Sequence, residues 1–361
     1  MQRHIPFFLI LTLTTGFGLN SCQNASVSEK NTRNLPGEGV TVTPAYVSLE
    51  ERFQTEIINI GLEKLGYEIG KMRELEPALM HTDLAAGGLD YTAAHWQQLG
   101  RKFYDNSGGD EKLEKVGVIV DNAVQGYLID RATAEKYNIT NLEQLQNPEI
   151  AKRFDTDGDG KANLVGCNAG WGCETIINHH LEAYELNATV EHESGKYFAL
   201  MADVIARYRQ DQPILYYTWT PLWTTDVLTP GEEVQWLEVP FTSLPEKSSS
   251  SANPDTTYQG KNLGFVTDEI MILANETFAQ SHPSAIAFME QVQVPIADVS
   301  AQNQRLREGE DSASEIRTHA ENWVAEHQEI FQNWLDAAQS QSEEGNTGRQ
   351  GTPMTTVSPD V

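Results

Sequence analysis

Residues 40–69 read VTVTPAYVSLEERFQTEIINIGLEKLGYEI, and the order of patterns in this stretch decides the fold class. Val40-Thr41-Val42-Thr43 alternates as a strand does. Ser48 and Glu51 stand at capping-box spacing, and Phe53, Ile57, Ile58, Gly61, Leu62 and Leu65 then recur along one helical face. Gly66 stops that helix, and Tyr67-Glu68-Ile69 offers the next strand. Strand, helix and strand in this order open an α/β lobe.

Further along, strands are expected at residues 125–129, 213–217, 234–239 and 271–274, with helical stretches among them. Residues 245–262 are rich in Ser, Pro, Asp and Gly and read as a loop. One long helix is expected to carry Ile316, Ala320, Trp323, Val324, His327, Phe331, Trp334 and Leu335 on a single face. From residue 341 to 361 the composition turns polar and disorder is expected. A chain of 361 residues exceeds what one core usually serves, so two lobes are expected.

Acidic residues number 52 against 25 Lys and Arg, a formal charge of −27. That balance argues against a nucleic-acid partner, which needs cationic side chains in excess, and against adhesion to anionic lipid. Arg3 and His4 precede a mostly apolar run from Ile5 to Phe17, too short to span a bilayer and suited to a signal peptide. Leu19-Asn20-Ser21-Cys22 resembles a bacterial lipobox. The expectation is a signal peptide over 1–21, lipidation of Cys22 and a tether over 22–36. The protein would then be exported, periplasmic or at the cell surface, and anchored to a membrane rather than spanning it. A conventional signal peptide with a bystander cysteine is the competing reading. Cys167 and Cys173 lie six positions apart, where an exported chain is expected to form a disulfide; two free buried thiols are the alternative.

The sequence contains no His-Glu-x-x-His, Gly-x-Ser-x-Gly, Walker or dinucleotide pattern, so an enzyme is not expected. Adjacent His179 and His180 point apart on a helix and read as a capped or solvated pair rather than metal ligands. Asp155, Asp157 and Asp159 resemble the first half of a calcium loop, but position 12 of that loop is Gly166 instead of a bidentate Glu. The segment reads first as an Asx-stabilised turn, with a calcium ion completed by other oxygens as the alternative. Three tryptophans sit at strand ends or among glycines: Trp96, Trp171 within Gly166–Glu174, and Trp219 within Tyr216–Trp223. Aromatic faces attract a quaternary ammonium, which has no N–H to donate. A helix beginning near Thr175 would leave N–H groups near Gly172 and Cys173 to face an anion. Trp236, Trp323 and Trp334 read as core, and Trp223 could be either.

At these motifs the chain resembles the periplasmic substrate-binding proteins of glycine betaine/proline ABC importers. The resemblance runs from about Gly37 to Gln339 through Gln125–Asp130, Phe154–Lys161, Gly166–Glu174 and Tyr216–Pro221. It implies a type II-like binding-protein fold of two α/β lobes with a hinge and an interlobe cleft. Lobe 1 would comprise residues 37–125 and 261–340, and lobe 2 residues 126–260. It further implies that Trp96, Trp171 and Trp219 box a trimethylammonium group, that the Gly172 and Cys173 N–H groups take a carboxylate, and that Cys167 pairs with Cys173. The implied ligand is glycine betaine, with proline betaine or proline as relatives. The implied partners are an ABC permease and its ATPase; a monomer without cofactor is expected. Where the family pattern has a carboxylate-binding histidine four residues after the first tryptophan, this chain has Gly100, with Arg101 and His95 as candidate replacements. Receptors for choline or another quaternary amine, and a surface sensor without transport, are the alternatives.

Overall fold

A computed structural model describes residues 35–347 except Lys247, Ser250 and Ala252. The expected signal peptide, Cys22 and most of the tether therefore lie outside the described residues, as does 348–361.

The opening unit forms from the residues that encode it. Thr41–Val42 pairs in parallel with Glu68–Ile69, and the helix between them runs Arg52–Lys64. Its buried face carries Phe53, Ile57, Ile58 and Leu62, each contributing about 1.5–3 kcal/mol of burial. Gly61 lies on the same face because a Cβ there would stand 1.9 Å from the Phe288 ring. Gly66, at φ +93°, turns the chain out of the helix.

Pro44–Tyr46 then enters a five-stranded sheet in the order Arg73–Glu74, Pro44–Tyr46, Tyr91–Trp96, Asp268–Asn275, Leu113–Ala123. The first three strands are mutually parallel, and Asp268–Asn275 runs antiparallel to both its neighbours. A second five-stranded sheet has the order Val190–Glu193, Ala162–Val165, Leu215–Trp219, Gln125–Asp130, Val234–Leu237. Here too the first three are parallel and the fourth is antiparallel. The odd strand of each sheet is the one the chain enters on crossing over from the other. The chain passes from the first sheet to the second between Ala123 and Gln125, and returns before Asp268. These reciprocal crossings join two lobes that each have a hydrophobic core of their own.

Two expectations are corrected. The long C-terminal helix is two, Ala313–Glu326 and Gln328–Thr347, broken at His327. The His327 ring stacks on Trp323 at 4.1 Å, and the break lets Trp334 lie against both Trp323 and Phe288. Helix also continues to Thr347, past the expected onset of disorder at 341: the Ser, Gln and Glu residues there are poor in apolar surface yet compatible with extending an established helix. Trp323 and Trp334 are buried in the first lobe's core, and Trp236 is half-buried against the second's.

Candidate ligand-binding site

A cavity of about 70 Å³ lies between the lobes, lined from both sides. A single water needs about 10–15 Å³ by this measure, so the space admits a solute of several heavy atoms. Four strand carboxyl ends build it, the usual location for ligands in α/β sheets. In the first lobe, Pro44–Tyr46 leads into the turn bearing Glu50 and Glu51, and Tyr91–Trp96 ends on Trp96. In the second, Ala162–Val165 leads to the Trp171 loop, and Leu215–Trp219 ends on Trp219.

Trp96, Trp171 and Trp219 all line the cavity, whereas Trp223 does not. Trp171 meets Trp219 edge to face at 6.0 Å, and Tyr197 and Tyr217 pack behind Trp219 at 4.6 and 5.8 Å. Each of the other two indoles gives its N–H to a first-lobe carboxylate: Trp96 to Glu51 at 3.2 Å, and Trp171 to Glu76 at 2.7 Å across the cleft. Glu51 also accepts from the Val47 and Ser48 N–H groups at 3.0 and 3.2 Å, so the residue read from sequence as a cap is a cavity wall as well. Burial pushes its carboxyl up to about 7.

Gly172 and Cys173 also line the cavity. They are the first two residues of the Gly172–Ala183 helix, so their N–H groups have no intrahelical acceptor and lie at the positive end of its dipole. Cys173 is disulfide-bonded to Cys167, which fixes the approach to the helix. A Cβ on Gly172 would sit 2.3 Å from the Leu99 carbonyl oxygen of the other lobe, so only glycine permits this approach. The Gln98 and Leu99 N–H groups in turn donate to buried Asp268 at 2.9 and 3.1 Å.

The candidate replacements at Gly100 do not reach the cavity. Arg101 donates to the Ser249 carbonyl of the second lobe at 2.6 Å and lies 3.7 Å from Asp105. His95 packs behind Gly100, whose Cβ would meet His95 Nδ1 at 2.7 Å. The histidine that lines the cavity is His81, which sequence reading missed. Its Nδ1 is 2.7 Å from the Pro77 carbonyl and its Nε2 2.9 Å from His95 Nδ1. Burial holds His81 down to about 4 and His95 well below the usual range, so both rings are neutral. Since a carbonyl only accepts, His81 carries its proton on Nδ1 and receives one hydrogen bond at Nε2. Both of its nitrogens are thereby occupied.

Away from the cavity, His180 is fully buried, bonded to Tyr127 Oη at 2.7 Å and the Ser243 carbonyl at 2.8 Å. It is thus a core residue, not one of a solvated pair; His179 meets the Ser243 hydroxyl at 2.8 Å. Carboxylate oxygens of Asp155, Asp157 and Asp159 lie within 4.8 Å of one another. Each also accepts a backbone N–H, from Gly158 and Gly160, Asp159 and Lys161 respectively, as an Asx-stabilised turn requires.

Two lobes of matching strand order around a small aromatic cleft define the class of two-lobed solute-binding proteins. The chain belongs to the family of substrate-binding domains of ABC-type glycine betaine transport systems, whose model matches residues 40–326. It is 46% identical over 309 residues to the glycine betaine-binding periplasmic protein OusX of Dickeya dadantii, covering 85% of this chain and 92% of that one. Identity is also 46% over 307 residues to the glycine betaine/proline betaine-binding periplasmic protein of Escherichia coli K12, covering 84% and 92%. Lactococcal OpuAC, in its closed conformation with glycine betaine, shares the fold at a TM-score of 0.62 and 15% identity, over 82% of this chain and 99% of that one. A binding protein from Borrelia burgdorferi does so at 0.63 and 16%, over 81% and 96%. The chain thus has the type II-like, two-lobed fold of these solved structures, and no described helix is long and apolar enough to cross a membrane.

Proposed function

We propose that this protein captures a small zwitterionic osmolyte between its lobes, the quaternary amine glycine betaine foremost with proline betaine or proline as relatives, and presents it to the permease and ATPase of an ABC importer for osmoprotective uptake. The observation that carries this reading is the convergence of Trp96, Trp171 and Trp219 from both lobes on one cavity with the first-turn N–H groups of Gly172 and Cys173. Three aromatic faces at about 0.5–2 kcal/mol each suit the trimethylammonium pole, and the two N–H groups suit the carboxylate. Cys22 would hold the receptor at the membrane of an exporting cell as a monomer. The names of the relatives support the ligand class.

Choline is the second reading, and a specific observation favours it. Neither Arg101 nor His95 lines the cavity, and His81 has no free N–H to offer a carboxylate. Calorimetric titration with glycine betaine, proline betaine, proline and choline separates the two. Tight binding of the betaines with weak choline binding establishes a working carboxylate subsite. Choline binding as well as betaine or better assigns a cation receptor, and binding of none refutes the quaternary-amine reading.

A further inference from the structure

The charged side chains on the cavity wall are unusual for a site meant to hold a zwitterion. Among the described lining residues there is no Lys or Arg, but there are two consecutive glutamates, Glu50 and Glu51. Glu51 is 9% exposed, and its three hydrogen bonds come from neutral donors: two backbone N–H groups and the Trp96 indole. Glu50 keeps its Oε2 shut off from solvent with no hydrogen-bond partner among the described residues. A buried carboxylate without a cation is costly to ionise, and a second one beside it raises that cost. The nearest cationic side chain in sequence, Arg52, is engaged elsewhere, at 3.3 Å from Glu56 and over the Tyr46 ring.

We infer that Glu51, flanked by Glu50, is the counter-charge for the ligand's ammonium pole, and that loading the cleft with a quaternary amine expels a proton from it. This rests on the quaternary-amine reading and adds to it a specificity rule. A ligand that is cationic overall stabilises ionised Glu51 without opposition, whereas the carboxylate of a betaine partly cancels that field. Choline uptake is therefore more strongly linked to pH than betaine uptake, and acid selects for the zwitterion. Burial has already placed the empty-site carboxyl near 7, with Glu50 also pushed up, so the linkage falls in an accessible range.

The other titratable groups around this wall respond differently. His81 is neutral throughout that range with both nitrogens bonded, and Tyr197, which feels the charge of Glu50, is pushed upward by burial. Glu74 adds negative charge near Glu50. Asp268, beneath Gln98 and Leu99, is also raised by burial to about 7, but it lies outside the cavity lining. It is the group to control for.

The test is calorimetric titration of the purified protein with choline and with glycine betaine at pH 5.5, 7.0 and 8.5, in two buffers of different ionisation heat. Choline affinity is expected to fall on the order of tenfold from pH 8.5 to 5.5, with proton release visible as a buffer-dependent heat. Glycine betaine should fall less. Glu51→Gln keeps an acceptor for the Val47 and Ser48 N–H groups, gives up the one for the Trp96 indole, and should flatten the choline profile, while Glu51→Asp and Asp268→Asn keep its slope. Choline binding that is flat with pH in the unmodified protein, or a slope surviving Glu51→Gln, overturns the inference while leaving the quaternary-amine reading intact. If neither ligand binds at any pH, that reading fails and the inference with it.

Discussion

The two lobes are built on one plan and bring different chemistry to the cleft. Each has three parallel strands, a fourth antiparallel strand entered from the other lobe, and cavity-lining residues at strand carboxyl ends. The first lobe lines the cavity with Trp96 and with ionisable groups, half-buried Glu50 and buried Glu51 and His81. The second lines it with Trp171, Tyr217, Trp219 and the start of a helix held by a disulfide. Its polar offering is fixed N–H dipoles rather than charge. If the proposed ligand binds here, a site split in this way is complete only when the lobes meet, and lobe closure and recognition would be a single event. The first lobe controls charge; the second controls shape.

The sharpest way to break this division is at Trp171, where the lobes touch. Trp171→Ala removes an aromatic face, the edge contact with Trp219 and the bond to Glu76. From about 0.5–2 kcal/mol for the face and about 1.5–3 for the charge-assisted bond, ligand affinity should fall on the order of a hundredfold in a folded protein. Calorimetry with circular dichroism as the fold control decides it, and unchanged affinity would refute the aromatic box. Gly172→Ala tests shape alone. The Leu99 carbonyl is pinned through Asp268 and cannot readily move away from the new methyl group, so the lobes should stay apart. The expected loss is roughly tenfold or more, since the ligand keeps its partners within each lobe but loses simultaneous contact with both. Small-angle scattering would show no contraction on adding ligand; normal contraction would mean that the lobes meet differently.

How much of this was legible in sequence follows the range of each interaction. The α/β class was readable because strand and helix periodicities in residues 40–69 are local, and the strands at 125–129, 234–239 and 271–274 formed close to their expected bounds. Trp96, Trp171 and Trp219 stood out through their glycines and strand-end positions, which are also local. Glu51 was legible only as a cap. Its second role depends on the Pro44–Tyr46 strand pairing beside Tyr91–Trp96, which sets the carboxylate against an indole 45 positions away. Glu76 and His81 left no signal, because their partners Trp171 and His95 are chosen by tertiary packing. The same holds for the His327 break, which a continuous apolar face conceals until the Trp323 stack is seen.

Smaller effects sharpen the comparison by separating closure from contact with ligand. Glu76 is the N-cap residue of the Pro77–Ala85 helix, yet its side chain makes no capping bond and instead reaches Trp171. Glu76→Gln keeps an acceptor but loses the charge, and about 1 kcal/mol should cost roughly fivefold in affinity. Because Glu76 does not line the cavity, choline and betaine should lose equally; unequal loss would make it part of the charge-controlling wall.

The smallest effect is expected at Arg101, whose guanidinium reaches the Ser249 carbonyl from the opposite lobe. Arg101→Ala removes that bond, but Asp105, one helical turn on and 3.7 Å away, offers the arginine a partner within its own lobe. The net value of the interlobe bond is the difference between the two pairings, about 0.5 kcal/mol or roughly twofold in affinity. It should appear as faster ligand release in stopped-flow fluorescence with the on-rate unchanged, since the bond exists only after closure. Asp105→Ala offers the complementary test: without its competitor, Arg101 should hold the lobes together longer and slow release. Faster release in that variant would mean that Asp105 orients Arg101 toward Ser249 instead of drawing it away.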